Sequence, residues 1–211
     1  ELEKIKKMIL SLGALVEERV RRTAAAITEG NAATAEEIIR SDFEVDEMEV
    51  EIEEECLKIM ALHQPVAIDL RFLIAVIKIN NDLERIADEA VNIAQRIQTM
   101  TKRQPIQIAF DYEPMASEVE NMLKLSLDAL VNMDVDTAFK VVTMDDEVDG
   151  IHRQVYHLIR NEMELHPDQV AYLINFYLIS RHLERIADHA TNIAEEVIYL
   201  IEGEIVRHAD Y

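Results

Sequence analysis

A twelve-residue segment occurs twice in this chain, one hundred residues apart, and no other feature limits the fold so strongly. Leu83-Glu-Arg-Ile-Ala-Asp-Glu-Ala-Val-Asn-Ile-Ala94 returns as Leu183-Glu-Arg-Ile-Ala-Asp-His-Ala-Thr-Asn-Ile-Ala194, with changes only at Glu89/His189 and Val91/Thr191. The correspondence continues upstream: Asp42-Phe-Glu-Val-Asp46 is answered by Asp145-Asp-Glu-Val-Asp149, and His63-Gln-Pro65 by His166-Pro167. Self-similarity at this scale marks one structural unit used twice, so the two halves are expected to fold alike.

Each half carries apolar residues at helical spacing and breaks at matching places. In the first half Gly30-Asn31 ends one helix and supplies Asn31 as the next cap, and His63-Gln64-Pro65 separates the second helix from a third. In the second half Asn132-Met133-Asp134 and His166-Pro167-Asp168 do the same. Between the halves, 101–114 contains two prolines and little periodicity, the mark of a linker. Helices are therefore expected at 1–28, 32–62, 66–99, 112–131, 135–164 and 168–201. Short connections make neighbouring helices antiparallel, giving an all-α protein of two tandem, internally duplicated three-helix bundles, residues 1–103 and 104–211. Composition agrees: 4 Gly, 4 Pro, no Trp and 5% aromatic residues among 211 leave little material for turn-rich sheets.

Against 21 Lys and Arg stand 42 Asp and Glu, a formal net charge of −21. That field repels nucleic-acid phosphates and anionic membrane surfaces and favours cations or basic partners. The longest mostly apolar run, 170–179, is about half of the roughly 20 residues a spanning helix needs, so a soluble protein with no direct membrane insertion is expected. The single cysteine, Cys56, cannot close an internal disulfide and reads as core filler, with the cytoplasm as the default compartment.

The acidic residues are not scattered. Asp42, Asp46, Glu49 and Glu53 fall at i, i+4, i+7 and i+11 along one ridge beside the apolar stripe of Val45, Met48, Ile52 and Cys56. Glu84 and Asp88 stand at i, i+4 opposite the face of Leu83, Ile86, Ala87, Ala90 and Ile93, and so are expected on the outside. The second half repeats both features with Asp145, Asp149 and His152 on one helix and Glu184 and Asp188 on the other. Like charges at i, i+4 cost a helix about 0.2–0.5 kcal/mol per pair, which a bound cation relieves. Carboxylates suit hard or borderline ions, namely magnesium, manganese, calcium or iron, and two facing helices with two carboxylates each can bridge more than one. His152 and His189 add imidazoles in the second half alone. The competing explanation is a set of solvated ridges paired with Arg85, Arg185 or Arg71. The same spacing at four corresponding places weighs against it.

Other side chains carry less. His63 and His166 sit in turns as helix caps, His157, His182 and His208 have no partner visible in sequence, and Tyr172, Phe176 and Tyr177 read as packing. Arg19, Arg21 and Arg22 read as a solvated or salt-bridged face. No phosphate-cradling Gly-rich loop, Gly-x-Ser-x-Gly turn, His-Glu-x-x-His helix or Cys-x-x-Cys pair is present, so no catalytic residues are assigned. The interior Glu and Glu-x-x-His pattern of di-iron bundles is missing too.

The paired Leu-Glu-Arg-Ile-x-Asp-x-x-x-Asn-Ile segments, each preceded by Asp-x-x-x-Asp, resemble the PhoU family of phosphate-transport regulators. Gln64-Pro65 and Asp69-Leu70-Arg71 add to the likeness, which extends over essentially the whole chain. The resemblance implies two similar three-helix bundles and a cytoplasmic, non-enzymatic homodimer, peripheral at the inner membrane through a transporter. It implies repression of the phosphate-starvation response by contacts between a phosphate ABC transporter and a sensor histidine kinase. It also implies metal clusters, of iron, zinc, manganese or magnesium, on surfaces corresponding to Asp42, Asp46, Glu84 and Asp88 and to Asp145, Asp149, Glu184 and Asp188. Ala87 and Ala187 stand where Gly is usual in the family, which stiffens the helices by roughly 1 kcal/mol each without touching those carboxylates. The alternative, from a different class, is a carboxylate-bridged metalloprotein that stores metal or hydrolyses phosphate esters through a metal-bound water.

Overall fold

The computed structural model describes residues 1–203. Among these, seven helical segments account for nearly all of the chain: α1 (Leu2–Glu29), α2 (Ala32–Arg40), α3 (Phe43–His63), α4 (Ile68–Thr101), α5 (Glu113–Asn132), α6 (Val135–Leu165) and α7 (Val170–Glu202). Their ends follow local chemistry. Asn31 and Asp134 accept from the N–H groups of the first turns of α2 and α6, relieving donors that a helix start leaves unpaired. Gly30, at φ 61°, ends α1 in the left-handed conformation that glycine tolerates best. His166 caps α6 as expected, but α3 is closed one residue beyond His63 by Gln64.

The helix expected at 32–62 is two helices. The side chain of Arg19, only 3% exposed, reaches from α1 and donates to Asp42 Oδ1 at 2.7 Å and to the Ser41 carbonyl at 2.5 Å. The Ser41 carbonyl takes that bond beside one from the Glu44 N–H at 3.2 Å, a tight i, i+3 turn in place of the helical i, i+4 bond, and the chain breaks between α2 and α3. Met122, buried and apolar, occupies the place of Arg19 in the second half, where α6 runs unbroken. Arg19 is therefore a buried structural cation, while Arg21 and Arg22 pair at the surface with Glu18 and Glu37.

If α2 and α3 are counted together, each half is a three-helix bundle: α1, α2/α3 and α4, then α5, α6 and α7. The bundles do not stand apart. α4 lies against α7 and α1 against α5, and one apolar core runs from Ile5 in α1 to Leu200 in α7. Ala87 and Ala187 are buried, letting α4 and α7 sit close to their neighbours. A smaller cluster of Val155, Ile159 and Leu173 is covered by Ile106 and Ile108 from the α4–α5 connection, so this linker is packed against the second bundle. Cys56 is core, as expected, and burial with nearby Glu55 and Glu53 pushes its thiol up to about 11.

α4 and α7 are antiparallel and meet along polar contacts as well as apolar ones. His189 Nδ1 donates to Asp82 Oδ1 at 2.8 Å, and His182 Nδ1 to Glu89 Oε2 at 2.6 Å. Under the one-hundred-residue repeat, positions 82 and 182 correspond, as do 89 and 189, so these two carboxylate–imidazole pairs are related by a pseudo-dyad between the helices. Arg185 adds a bond to Glu89 at 2.8 Å, Asn192 one to Asp82, and Lys78 pairs with Glu196. His182, which has no partner visible in sequence, thus finds one in the other half of the chain. His208 lies outside the described residues.

Candidate metal-binding surfaces

The acidic residues of α3 and α4 form one group, and those of α6 and α7 form another. In the first, the Asp42, Glu49, Glu84 and Asp88 carboxyls all lie above their usual range. The leading cause in each is burial. Neighbouring carboxylates add to it, both along one helix (Asp46 on Asp42, Glu53 on Glu49, Asp88 on Glu84) and across the helix pair (Asp88 on Asp42, Glu49 and Asp46 on Glu84, Asp46 on Asp88), while Arg19 and Arg85 work in the opposite direction. In the second group burial and the charges of Asp188 and Asp149 push Asp145 up to about 6 and Glu184 up to about 7, and Asp188 is raised by burial and Asp149. Carboxylates from neighbouring helices thus oppose their own ionisation, which is the state a divalent cation reverses.

The carboxylates of α4 and α7 were expected on the outside. They face α3 and α6 instead: Glu184 is 8% exposed and Glu84 is half-buried, whereas Asp188 lies at the exposed edge of its group. One oxygen of each glutamate, Glu84 Oε2 and Glu184 Oε2, is buried with no hydrogen-bond partner. Arg85 Nε approaches the first at 3.5 Å, and Arg181 satisfies only the other oxygen of Glu184. An orphaned carboxylate oxygen is costly. Finding it at the same repeat position in both halves, among other carboxylates, fits a hard cation better than a solvated ridge. Asp42, Asp46, Glu49, Glu84 and Asp88 would hold it in the first group, and Asp145, Asp149, Glu184 and Asp188 in the second. Among the described residues no three such side chains converge as they stand, so rotamers must turn inward to complete a coordination sphere.

Two further candidates remain. Glu53 lies one turn beyond Glu49, and the two line a polar cleft of about 650 Å³ with Lys78, Asn81, Asp82 and Asn192. His152 turns toward α7: Ser180 donates its hydroxyl to the Tyr177 carbonyl, so His152 Nδ1 donates to Ser180 Oγ at 2.9 Å, and Nε2 faces the Tyr177 hydroxyl at 3.4 Å. Burial and Arg181 hold this imidazole below its ordinary range. His189 is taken by Asp82. Thr191, one of the two differences within the repeat, donates to Asp145 at 3.4 Å, where the first half has the apolar Val91.

Two duplicated helical bundles, each carrying an acidic surface between its second and third helices, define the class. The PhoU domain model matches twice, at residues 9–97 and 113–197, and the chain belongs to the PhoU family. It is 37% identical over 208 residues to the phosphate-specific transport system accessory protein PhoU homolog of Aquifex aeolicus, covering 99% of this chain and 94% of that one. It is 35% identical over 207 residues to the homolog of Clostridium acetobutylicum, covering 98% and 94%. The crystal structure of PhoU from Pseudomonas aeruginosa superposes with a TM-score of 0.92 at 34% identity, covering 96% of this chain and 98% of that one. No described helix is long and apolar enough to cross a membrane.

Proposed function

We propose that this protein is a cytoplasmic regulator of phosphate uptake that represses the phosphate-starvation response. It acts by contact with a phosphate ABC transporter and a sensor histidine kinase and turns over no substrate. The observation that carries the reading is similarity over nearly the whole chain to proteins named as accessories of a phosphate-specific transport system. The two acidic surfaces bind metal ions, iron, zinc, manganese or magnesium, which neutralise the orphaned glutamate oxygens and tie α3 to α4 and α6 to α7. The working form is a homodimer.

Deletion of the gene should leave starvation genes expressed when phosphate is abundant. The wild-type copy should restore repression, and E184A/D188A should restore it only in part, with lowered metal content and an intact fold. Starvation genes that stay repressed in the deletion strain would overturn the regulatory reading. The paired acidic surfaces also support a second reading, a carboxylate-bridged metalloprotein that stores metal or hydrolyses phosphate esters. Metal-dependent phosphatase turnover by the purified protein with kcat/KM in the common enzymatic range of about 10⁴–10⁸ M⁻¹s⁻¹ would establish that reading instead.

A further inference from the structure

The outer face of α3 carries Phe43, Val50 and Leu57, each at least half exposed, at strict seven-residue spacing. The helix buries Val45, Ile52, Cys56 and Ile59 on its opposite side. At 100° per residue the three exposed side chains form one stripe about 21 Å long, pointing away from the core. They are not needed for the fold, as the second half demonstrates. With Asp145 answering Asp42, the equivalents of buried Val45, Ile52 and Cys56 are Val148, Val155 and Ile159, all buried. The equivalents of Phe43, Val50 and Leu57 are Asp146, Arg153 and Arg160, all exposed and charged. The same helix in the same bundle thus tolerates charge at all three places, and only α3 exposes apolar groups there.

The stripe is bordered mainly by acid: Asp46 and Glu53 on one side, Glu47, Glu51 and Glu54 on the other, all exposed, with Lys58, paired to Glu55, the one base in the second row. Three apolar groups at heptad spacing between two rows of carboxylates match an amphipathic helix with apolar a and d positions and Lys or Arg beside them. A second copy of this chain would set acid against acid along the stripe, and an anionic lipid surface would meet the same repulsion. From this we infer that α3 is a docking surface for a basic amphipathic helix of another protein. The inference does not depend on the transport reading, and although Asp46 is also a candidate metal ligand, Glu47, Glu51 and Glu54 on the other side are not.

A designed helical peptide with Leu at a and d and Lys at the flanking positions serves as probe, with a control carrying Glu at those flanks. Binding to the full-length protein is read by fluorescence anisotropy. The Lys peptide should bind at least about tenfold more tightly than the Glu peptide, with an affinity that falls as salt rises. The substitution V50R/L57R, which places on α3 what α6 already carries, should weaken the Lys peptide by about tenfold or more while leaving the melting temperature unchanged. Failure of the Lys peptide to bind, equal binding of the two peptides, or indifference to V50R/L57R would overturn the inference. So would either alternative occupant: self-association in sedimentation equilibrium that V50R/L57R abolishes, or flotation with phosphatidylglycerol vesicles that it abolishes.

Discussion

Replacing Glu184 by Gln should make the metal-free protein more stable at pH 8, although Glu184 is buried and paired with Arg181. Burial and the charges of Asp188, Asp149 and Asp145 raise its carboxyl from the ordinary 4.5 to about 7. A raised acid contributes stability below its unfolded value, about 4.5, and loses it as pH rises through about 7. Two and a half pH units correspond to about 3 kcal/mol, and screening by solvent at the Asp188 edge leaves about 2 kcal/mol. The Arg181 pair offsets little of this, because the guanidinium is 45% exposed. In chelator, E184Q should therefore melt about 4–8 °C above wild type at pH 8 and close to wild type near pH 4.5. Metal should invert the order: at one hundred times its dissociation constant an ion stabilises the wild type by about 2.7 kcal/mol, and E184Q should gain much less. The measurement is thermal unfolding by circular dichroism across pH, with EDTA or with manganese. A wild-type melting temperature that does not fall between pH 5 and 8 in EDTA, or E184Q less stable than wild type there, refutes the electrostatic argument. Equal stabilisation of both proteins by manganese refutes the assignment of Glu184 as a ligand.

Three further outcomes are expected. Glu89→Ala strands His182 and Arg185 at the α4–α7 contact and should lower stability by about 3 kcal/mol in denaturant titration. Burial works against the Glu89 carboxylate, but His182 and Arg185 outweigh it and hold the carboxyl below its ordinary 4.5. The contribution is therefore present above that pH and lost as pH falls below it, so the wild-type advantage over E89A should shrink in acid. Arg19→Met installs the residue of the second half; the break at Ser41 and Asp42 should close into continuous helix, visible crystallographically, at a loss of about 1–3 kcal/mol from the half-buried Asp42 left unpaired. His152→Phe should leave metal stoichiometry at the wild-type value by elemental analysis, since this imidazole is engaged by Ser180 and Tyr177.

The architecture was legible because its signals are local or repeated. Helical spacing, Asn31 and Asp134 as caps, and the doubled segment at 83–94 and 183–194 are enough to place two three-helix bundles. The acidic groups were legible for the same reason, since i, i+4 spacing survives any change in helix packing. What escaped depends on contacts distant in sequence. Arg19 breaks a helix 22 residues away, and nothing near Ser41 announces it. The Glu184 carboxylate was expected outside because the period of a lone helix cannot tell solvent from a neighbouring helix. The His182 and His189 pairs cross between halves. Their only trace in sequence is that Glu89/His189 is one of two differences in an otherwise identical repeat.

That difference has a physical consequence for how the halves combine. In the antiparallel α4–α7 contact, position 82 meets position 189 and position 89 meets position 182. If α4 met a copy of itself in the same arrangement, Asp82 would face Glu89 twice, four carboxylates in a poorly hydrated contact. A copy of α7 on α7 would bring His182 against His189, with Arg185 beside them and no acid opposite. Only the mixed pairing matches acid with base at both places of the pseudo-dyad. Buried or half-buried charges add little net stability compared with apolar residues of the same shape, but a mismatch leaves uncompensated charge at several kcal/mol per group. The seam therefore selects which helix meets which more than it strengthens the meeting. It secures a heterologous pair from two nearly identical segments, and it leaves the first bundle's acidic surface and apolar α3 stripe distinct from their counterparts in the second.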